Sequence, residues 1–170
     1  MKFSTSTMKA IQQLLVTDFA TQIEAAGAVS VSEIEQSLRT SLQALGQASM
    51  GEMLSMLDEQ ACSPRQTCKC QAQGQRISRR AAQVLSVFGW VRYLRSYYHC
   101  SSCGRRWLPL DAQQQLRPGR ATPSMTALLG LAGITVSFEE ARQHIWQYLQ
   151  VGVSANTIRQ ETQEIGPPVR

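Results

Sequence analysis

Two close cysteine pairs, Cys68-Lys69-Cys70 and Cys100-Ser101-Ser102-Cys103, constrain this chain more than any other feature. Thiolates at such spacing chelate a metal from two turns, and four of them complete the tetrahedron that zinc prefers. Gly104 follows the second pair, where glycine lets the chain turn back beside the metal. The second pair has the usual two-residue gap; the first, with one intervening residue, is a tighter chelate. Cys62, six residues before Cys68, and His99, next to Cys100, stay open as replacement ligands. Both rank lower, and for His99 the reason is that successive strand residues point to opposite faces. Five cysteines leave one over in any disulfide scheme, so the expectation is a structural Zn2+ on Cys68, Cys70, Cys100 and Cys103.

The net charge of +5 conceals a segregation along the chain. Residues 1–60 sum to −4 and residues 121–170 to −1, whereas residues 61–120 hold eleven Lys or Arg against Asp111 alone, a local +10. Ten of those eleven are arginine, whose planar fork suits phosphate oxygens. Arg92, Arg95, Arg105, Arg106, Arg117 and Arg120 are the candidates for contact with a polyanion, most plausibly nucleic acid. Polar residues such as Gln12, Asp18 and Glu24 interrupt the N-terminal apolar positions, which excludes a signal-type apolar stretch. With no run long enough for a bilayer span, a soluble protein of the cytoplasm is expected.

The first sixty residues read as helices. Met8, Ile11, Leu15, Phe19 and Ile23 form one stripe with a stop at Gly27. Ser32-Glu33-Ile34-Glu35 has the pattern of a capping box, opening a helix with Ile34, Leu38, Leu42 and Leu45 on one face and an end at Gly46. A third short helix carries Met50, Met53, Leu54 and Leu57. Such stripes pack within the chain, or serve a homo-oligomer or a second polypeptide.

A period of two begins near Gln75, and residues 82–87 and 91–98 read as a hairpin turning near Gly89. A third strand through Arg106, Trp107 and Leu108 completes a small antiparallel zinc ribbon over residues 61–110. Residues 111–121 have the composition of a basic linker or ordered loop. Helices resume with Thr122 as N-cap before Pro123, and Met125, Leu128, Leu129 and Ala132 follow as its apolar positions. A capping box at Ser137–Glu140 opens a helix with Phe138, Ala141, Ile145 and Leu149 on one side. After a turn at Gly152, Ser154 caps a last helix with Ile158 and Ile165 inward. This is the outline of a helix-turn-helix over residues 122–170. Asn156, Arg159 and Gln160 suit base edges, and Ser154 and Thr157 suit phosphates. Tyr148 departs from the small residue many such motifs place four before the turn glycine. The expected fold class is thus α+β and multi-module: N-terminal helices (residues 1–60), zinc ribbon, linker and C-terminal helix-turn-helix.

Several of these segments occur in a familiar order: Arg95-Ser96-Tyr97-Tyr98-His99-Cys100-Ser101-Ser102-Cys103-Gly104, Leu108-Pro109-Leu110-Asp111, Ser137-Phe138-Glu139-Glu140-Ala141, and Gly152-Val153-Ser154-Ala155-Asn156-Thr157-Ile158. Over residues 60–166 the chain resembles the N-terminal half of insertion-sequence transposases of the ISKra group. That resemblance implies a zinc-binding segment and a helix-turn-helix that recognise element ends in double-stranded DNA. It also implies a following RNase-H-like domain with a metal-binding acidic triad. Glu161 and Glu164 on one short helix do not make that triad, so a DNA-binding role without catalysis is expected; an upstream-frame product partnered by a separate catalytic transposase polypeptide, a decayed remnant and a retained regulator all stay open. The rival expectations are a stand-alone transcription regulator and a non-catalytic adaptor for RNA or protein.

Overall fold

The structure, a computed structural model, describes residues 5–26 and 29–165. Helix α1 spans Thr5–Ala26 and α2 Val31–Ala61; strands β1 (Arg65–Thr67), β2 (Gln73–Ser86), β3 (Gly89–His99) and β4 (Arg106–Trp107) follow, then α3 (Pro109–Gln113), α4 (Pro123–Thr135), α5 (Phe138–Leu149) and α6 (Ala155–Ile165). The architecture is mixed α+β, and the strands form one antiparallel sheet in the order β1-β2-β3-β4. No helix among the described residues is long and apolar enough to cross a membrane. The chain divides into two compact units, residues 1–45 and 46–170.

In the first unit, α1 and the start of α2 meet along Leu15, Val16 and Phe19 on one side and Ile34, Ser37, Leu38 and Ser41 on the other. The expected stop at Gly27 lies outside the described residues, as do the side chains of Met8 and Ile23. The capping box sits two positions earlier than the sequence pattern suggests. Ser30 is the N-cap: its backbone N–H and hydroxyl both donate to Glu33 Oε2 at 2.7 Å, and its Oγ accepts from the Glu33 N–H. Glu33 therefore plays the part the pattern gave to Glu35.

The second unit begins where a helix end was expected. Gly46 does not stop α2, which runs unbroken to Ala61. A glycine inside a helix costs about 1 kcal/mol relative to alanine, and at two positions here it allows close approach instead. A Cβ on Gly46 would lie 2.5 Å from the Phe88 ring, and one on Gly51 would lie 2.4 Å from the Arg92 carbonyl oxygen. Helix α2 thereby runs against the outer edge of β3. Ser55 Oγ accepts from the Leu94 N–H at 3.0 Å, and the buried Asp58 accepts from the Ser96 N–H at 2.8 Å and the Ser96 hydroxyl at 2.6 Å. Strand edges left open invite pairing with other chains; here helix side chains satisfy the edge.

The β2 edge is covered differently. Gly119 N–H donates to Gln83 O, Leu85 N–H to Arg120 O, and Thr122 N–H to Leu85 O. Of the two readings of residues 111–121, linker or ordered basic loop, the structure shows an ordered segment covering the sheet, with Leu116 and Ala121 buried. Strand β2 is also longer than the pattern suggests. A register shift between Arg76 and Ser78 interrupts the alternation and hides its first half from a period-two reading. The hairpin turns at Val87 and Phe88, with Gly89 at φ 99° opening β3.

Two cores meet at neighbouring residues of β2. Val84 packs with Leu54, Val91, Tyr93, Leu110 and Leu116, whereas Leu85 packs with Met125, Leu129, Ala141, Ile145, Val151 and Ile158. Successive strand residues face opposite sides, so one dipeptide ties the sheet to α2 and α3 on one side and to α4, α5 and α6 on the other. The three last helices pack on one another. Thr122 and Ser137 cap as expected, the latter in a complete capping box with Glu140. Leu128 turns outward instead of joining the core, and Ile165 stays half exposed although its tip lies against Gly130.

Candidate metal centre and basic surface

The turn from β1 to β2 carries Cys68 and Cys70, and the turn from β3 to β4 carries Cys100 and Cys103. Pairing of Gln75 with His99 sets the two turns side by side at one end of the sheet. Each turn is closed by its backbone. Gln71, at φ 68°, donates to Cys68 O at 2.9 Å, and the Cys68 N–H donates to Ala72 O at 2.9 Å. Gly104 donates to Cys100 O at 2.8 Å from a φ of 72°, with open space where a Cβ would stand. Its conformation, not its size, requires glycine.

The four sulfurs lie within 4.8 Å of one another, with Cys68 to Cys103 and Cys70 to Cys100 each 3.6 Å apart. A tetrahedron with metal–sulfur bonds of about 2.3 Å has edges of about 3.8 Å, which the two 3.6 Å pairs match and the longest separations, up to 4.8 Å, exceed. All five cysteines are free thiols, Cys68 and Cys100 buried, Cys70 and Cys103 at the surface. The four sulfurs act strongly on one another's acidity. The Cys103 backbone N–H, then that of Ser102 and the Cys70 and Cys103 thiols, pull Cys100 down to about 6. Cys103 goes the other way, to about 12: the Arg105 N–H favours its thiolate, but Cys70, burial, Cys68 and Cys100 together outweigh it. Several thiolates cannot share this space without positive charge between them. The four cysteines can therefore hold one metal ion.

Neither alternative ligand joins them. Cys62 lies at the end of α2 with its Sγ 3.5 Å from Asp58 Oδ1, and burial together with the Asp58 charge raises its thiol above the ordinary value. His99 stands on β3 between Gln75 and Arg106 and lies outside the sulfur cluster. Beside the cluster, Trp107 stacks on Tyr98 at 5.3 Å and covers Gly74, where a Cβ would meet the indole at 2.1 Å. That wedge stiffens the strand ends that carry the cysteines.

The arginines fall into two groups. Arg95 pairs with Asp111, which also accepts from the Tyr93 hydroxyl at 2.9 Å. Arg117 and Arg120 both pair with Glu164, and Arg120 Nε reaches Glu161 at 2.9 Å. Arg92, Arg105 and Arg106 have no carboxylate partner among the described residues, and Arg92 and Arg106 are exposed. Arg80 lies over the Tyr97 ring at 3.6 Å.

On α6, Ser154 is engaged as the N-cap, accepting from the Thr157 N–H at 3.0 Å and bonding the Thr157 hydroxyl at 2.8 Å. Asn156, Arg159 and Gln160 are exposed on its outer side, where Arg159 donates to Asn156 Oδ1 at 2.7 Å and Gln163 Oε1 at 3.2 Å. Ile158 and Glu161 are buried on its inner side. Tyr148, the departure noted above, points to solvent and does not obstruct the turn.

Sequence reasoning missed two buried acids. Asp58 fastens α2 to β3, and Glu161 holds Arg120 and the Thr126 hydroxyl, the latter at 2.8 Å. For Glu161 the signal was present, since it follows the inward Ile158 by three residues on one helix face. No curated protein matches the sequence. A family model does match, over residues 25–169, and the chain belongs to the family it describes, the Uncharacterised protein family (UPF0236).

Proposed function

We propose that the chain is a sequence-directed binder of double-stranded DNA, with α6 entering the major groove and the four cysteines holding a structural zinc ion. The observation that carries this reading is the two-sided character of α6. Its inner side is anchored by Ile158 and by the ion pairs of Glu161, while Asn156, Arg159 and Gln160 face outward. Helices α5 and α6 with the intervening turn then act as a helix-turn-helix, supported by α4. Guanidinium and amide groups in this arrangement suit paired hydrogen bonds to guanine and adenine edges. Ser154 and Thr157 sit at the N-terminus of α6, where a phosphate is favourably placed.

The internal ion pairs refine the assignment of the arginines. Arg92, Arg105 and Arg106 are the candidates for phosphate contact; Arg95, Arg117 and Arg120 position elements of the fold. An all-sulfur donor set favours zinc, and the binding energy of such a site is largely folding energy for the two turns it joins. Four free thiols suit a reducing compartment such as the cytoplasm. The resemblance to ISKra-group transposases narrows the target to the ends of a mobile element. In this reading the role of these residues is recognition, and Glu161, committed to Arg120 and Thr126, serves the fold and not a metal-binding acidic triad.

Mobility-shift titrations test the reading, using a duplex from inverted repeats bracketing the coding region and a shuffled duplex of equal length. The specific duplex should bind at least about 1,000-fold more tightly. Arg159→Ala should lose about 1–3 kcal/mol of that preference with its zinc content intact. Equal affinity for both duplexes, unchanged by Arg159→Ala, would sink the proposal. Footprints over a promoter instead of the repeats would favour the stand-alone regulator.

A further inference from the structure

Resting on the DNA-binding reading, we propose that the cysteine-bearing end of the sheet is a second contact surface, which grips the phosphate backbone of duplex DNA through Arg65, Arg80 and Arg106 on one face. The strand register places these residues. Arg65 pairs with Gln75, Gln75 with His99, and His99 with Arg106, so one row crosses all four strands. Residues directly opposite share a face, and the same face returns at every second residue. The register shift between Arg76 and Ser78 takes up the extra residue in β2, which keeps Gln75 and Ser78 on one side. Ser78 and Tyr97 form the next row of that face, and Arg80 and Arg95 the one after. Arg65, Gln75, Arg80 and Arg106 are exposed.

The charge of this face identifies the partner. No acidic residue occurs on the four strands or the turns between them, and Asp111 of α3 is occupied by Arg95 and the Tyr93 hydroxyl. Arg65, Arg80 and Arg106 have no carboxylate partner among the described residues. Arg80 even stands directly opposite Arg95, an arrangement of like charges that costs stability. Unanswered cations in fixed rows suit a polyanion. From Arg65 to Arg106 the row spans three strand spacings, about 14 Å, close to the axial rise of about four phosphates along one strand of a duplex. Bases are a poorer fit. A surface for single strands needs free rings on which bases stack, whereas the Tyr97 ring already carries the Arg80 guanidinium at 3.6 Å. Tyr98 and Trp107, the other aromatic pair at this end, stack on each other on the opposite face. The face therefore suits a duplex backbone, and sequence is left to α6.

The test is the salt dependence of binding, with the full zinc-loaded chain and the shuffled duplex followed by fluorescence anisotropy from about 50 to 200 mM KCl. Each phosphate contact steepens the plot of log affinity against log salt by about 0.9. Arg65→Ala, Arg80→Ala and Arg106→Ala should each flatten it by about 0.9, and the triple variant by about 2.7, with zinc content unchanged. The ratio of affinities for the inverted-repeat and shuffled duplexes should stay at the parent value, because phosphates carry no sequence. Arg39→Ala, which removes the same charge from α2, should leave the slope unaltered. A triple variant with the parent slope, an equal flattening in Arg39→Ala, tighter binding of a single strand of the same length, or a parent chain that binds no duplex overturns the proposal. The two readings fail separately. Loss of preference for the repeats, with a slope still set by the three arginines, removes the α6 assignment alone; a preserved preference with an unchanged slope removes this one.

Discussion

Replacing Gly51 by alanine sets two effects of similar size against each other. In an ordinary helix interior this change stabilises by about 1 kcal/mol. Here the new Cβ would stand 2.4 Å from the Arg92 carbonyl oxygen and 3.5 Å from Val91 Cγ1. The oxygen belongs to the backbone of β3, which is held along its length by β2 and cannot swing aside. Helix α2 must retreat instead, stretching the bonds from Ser55 to Leu94 and from Asp58 to Ser96. Overpacking of this kind costs about 1–3 kcal/mol, so the helix-propensity gain is cancelled and the net expectation is a loss of up to about 2 kcal/mol. Gly46→Ala is the control. Its Cβ would meet the Phe88 ring at 2.5 Å, but that ring sits on the exposed hairpin turn and can rotate away. The helix-propensity gain then survives, giving a stabilisation of up to about 1 kcal/mol. Urea unfolding at constant zinc concentration, followed by far-UV circular dichroism, gives both values from the midpoints. If Gly51→Ala stabilised the protein as Gly46→Ala does, the close approach of α2 to β3 would be wrong.

Asp58→Ala should lower stability by about 2–5 kcal/mol, because the Ser96 N–H and hydroxyl both lose their buried acceptor. Asp58→Asn keeps one carbonyl oxygen and should cost less; equal urea midpoints for Asp58→Ala and the parent protein would contradict the edge-capping role. A separate expectation concerns pH. The Ser137 hydroxyl, its backbone N–H and, more weakly, His144 hold the Glu140 carboxyl below 4.5. A depressed carboxyl contributes stability that is present above the unfolded value and lost as pH falls through the folded one. The Ser137 amide resonance should therefore titrate with a midpoint below 4.5, and Glu140→Gln should abolish that titration. A midpoint at or above the ordinary value would show that the capping box does not hold in solution.

The sulfur site was legible because chemistry fixes it locally: short cysteine spacings and a glycine at a turn survive any arrangement of the rest. Helix starts at Thr122 and Ser137 were legible for the same reason, each being a bond between residues three apart. What escaped depended on contacts distant in sequence. Gly46 was read as a break, although its meaning comes from Phe88, forty-two residues away. Ser32 and Glu35 had the pattern of a capping box as fully as Ser30 and Glu33, and spacing alone could not choose between them. Composition could not choose between a linker and an ordered loop for residues 111–121, because their backbone covers the β2 edge and their arginines answer acids on α6. A count of +10 likewise overstates the charge available to a polyanion, since Arg79, Arg95, Arg117 and Arg120 are paired within the fold.

The account rests on one ion held by four particular sulfurs, and metal content per folded chain measures it most directly. Elemental analysis of chelator-free protein should give one zinc per chain, retained in Cys62→Ser and His99→Ala and lost in Cys68→Ser or Cys100→Ser together with the ordered turns. Folded, metal-free protein, or zinc that disappears with Cys62, would contradict it.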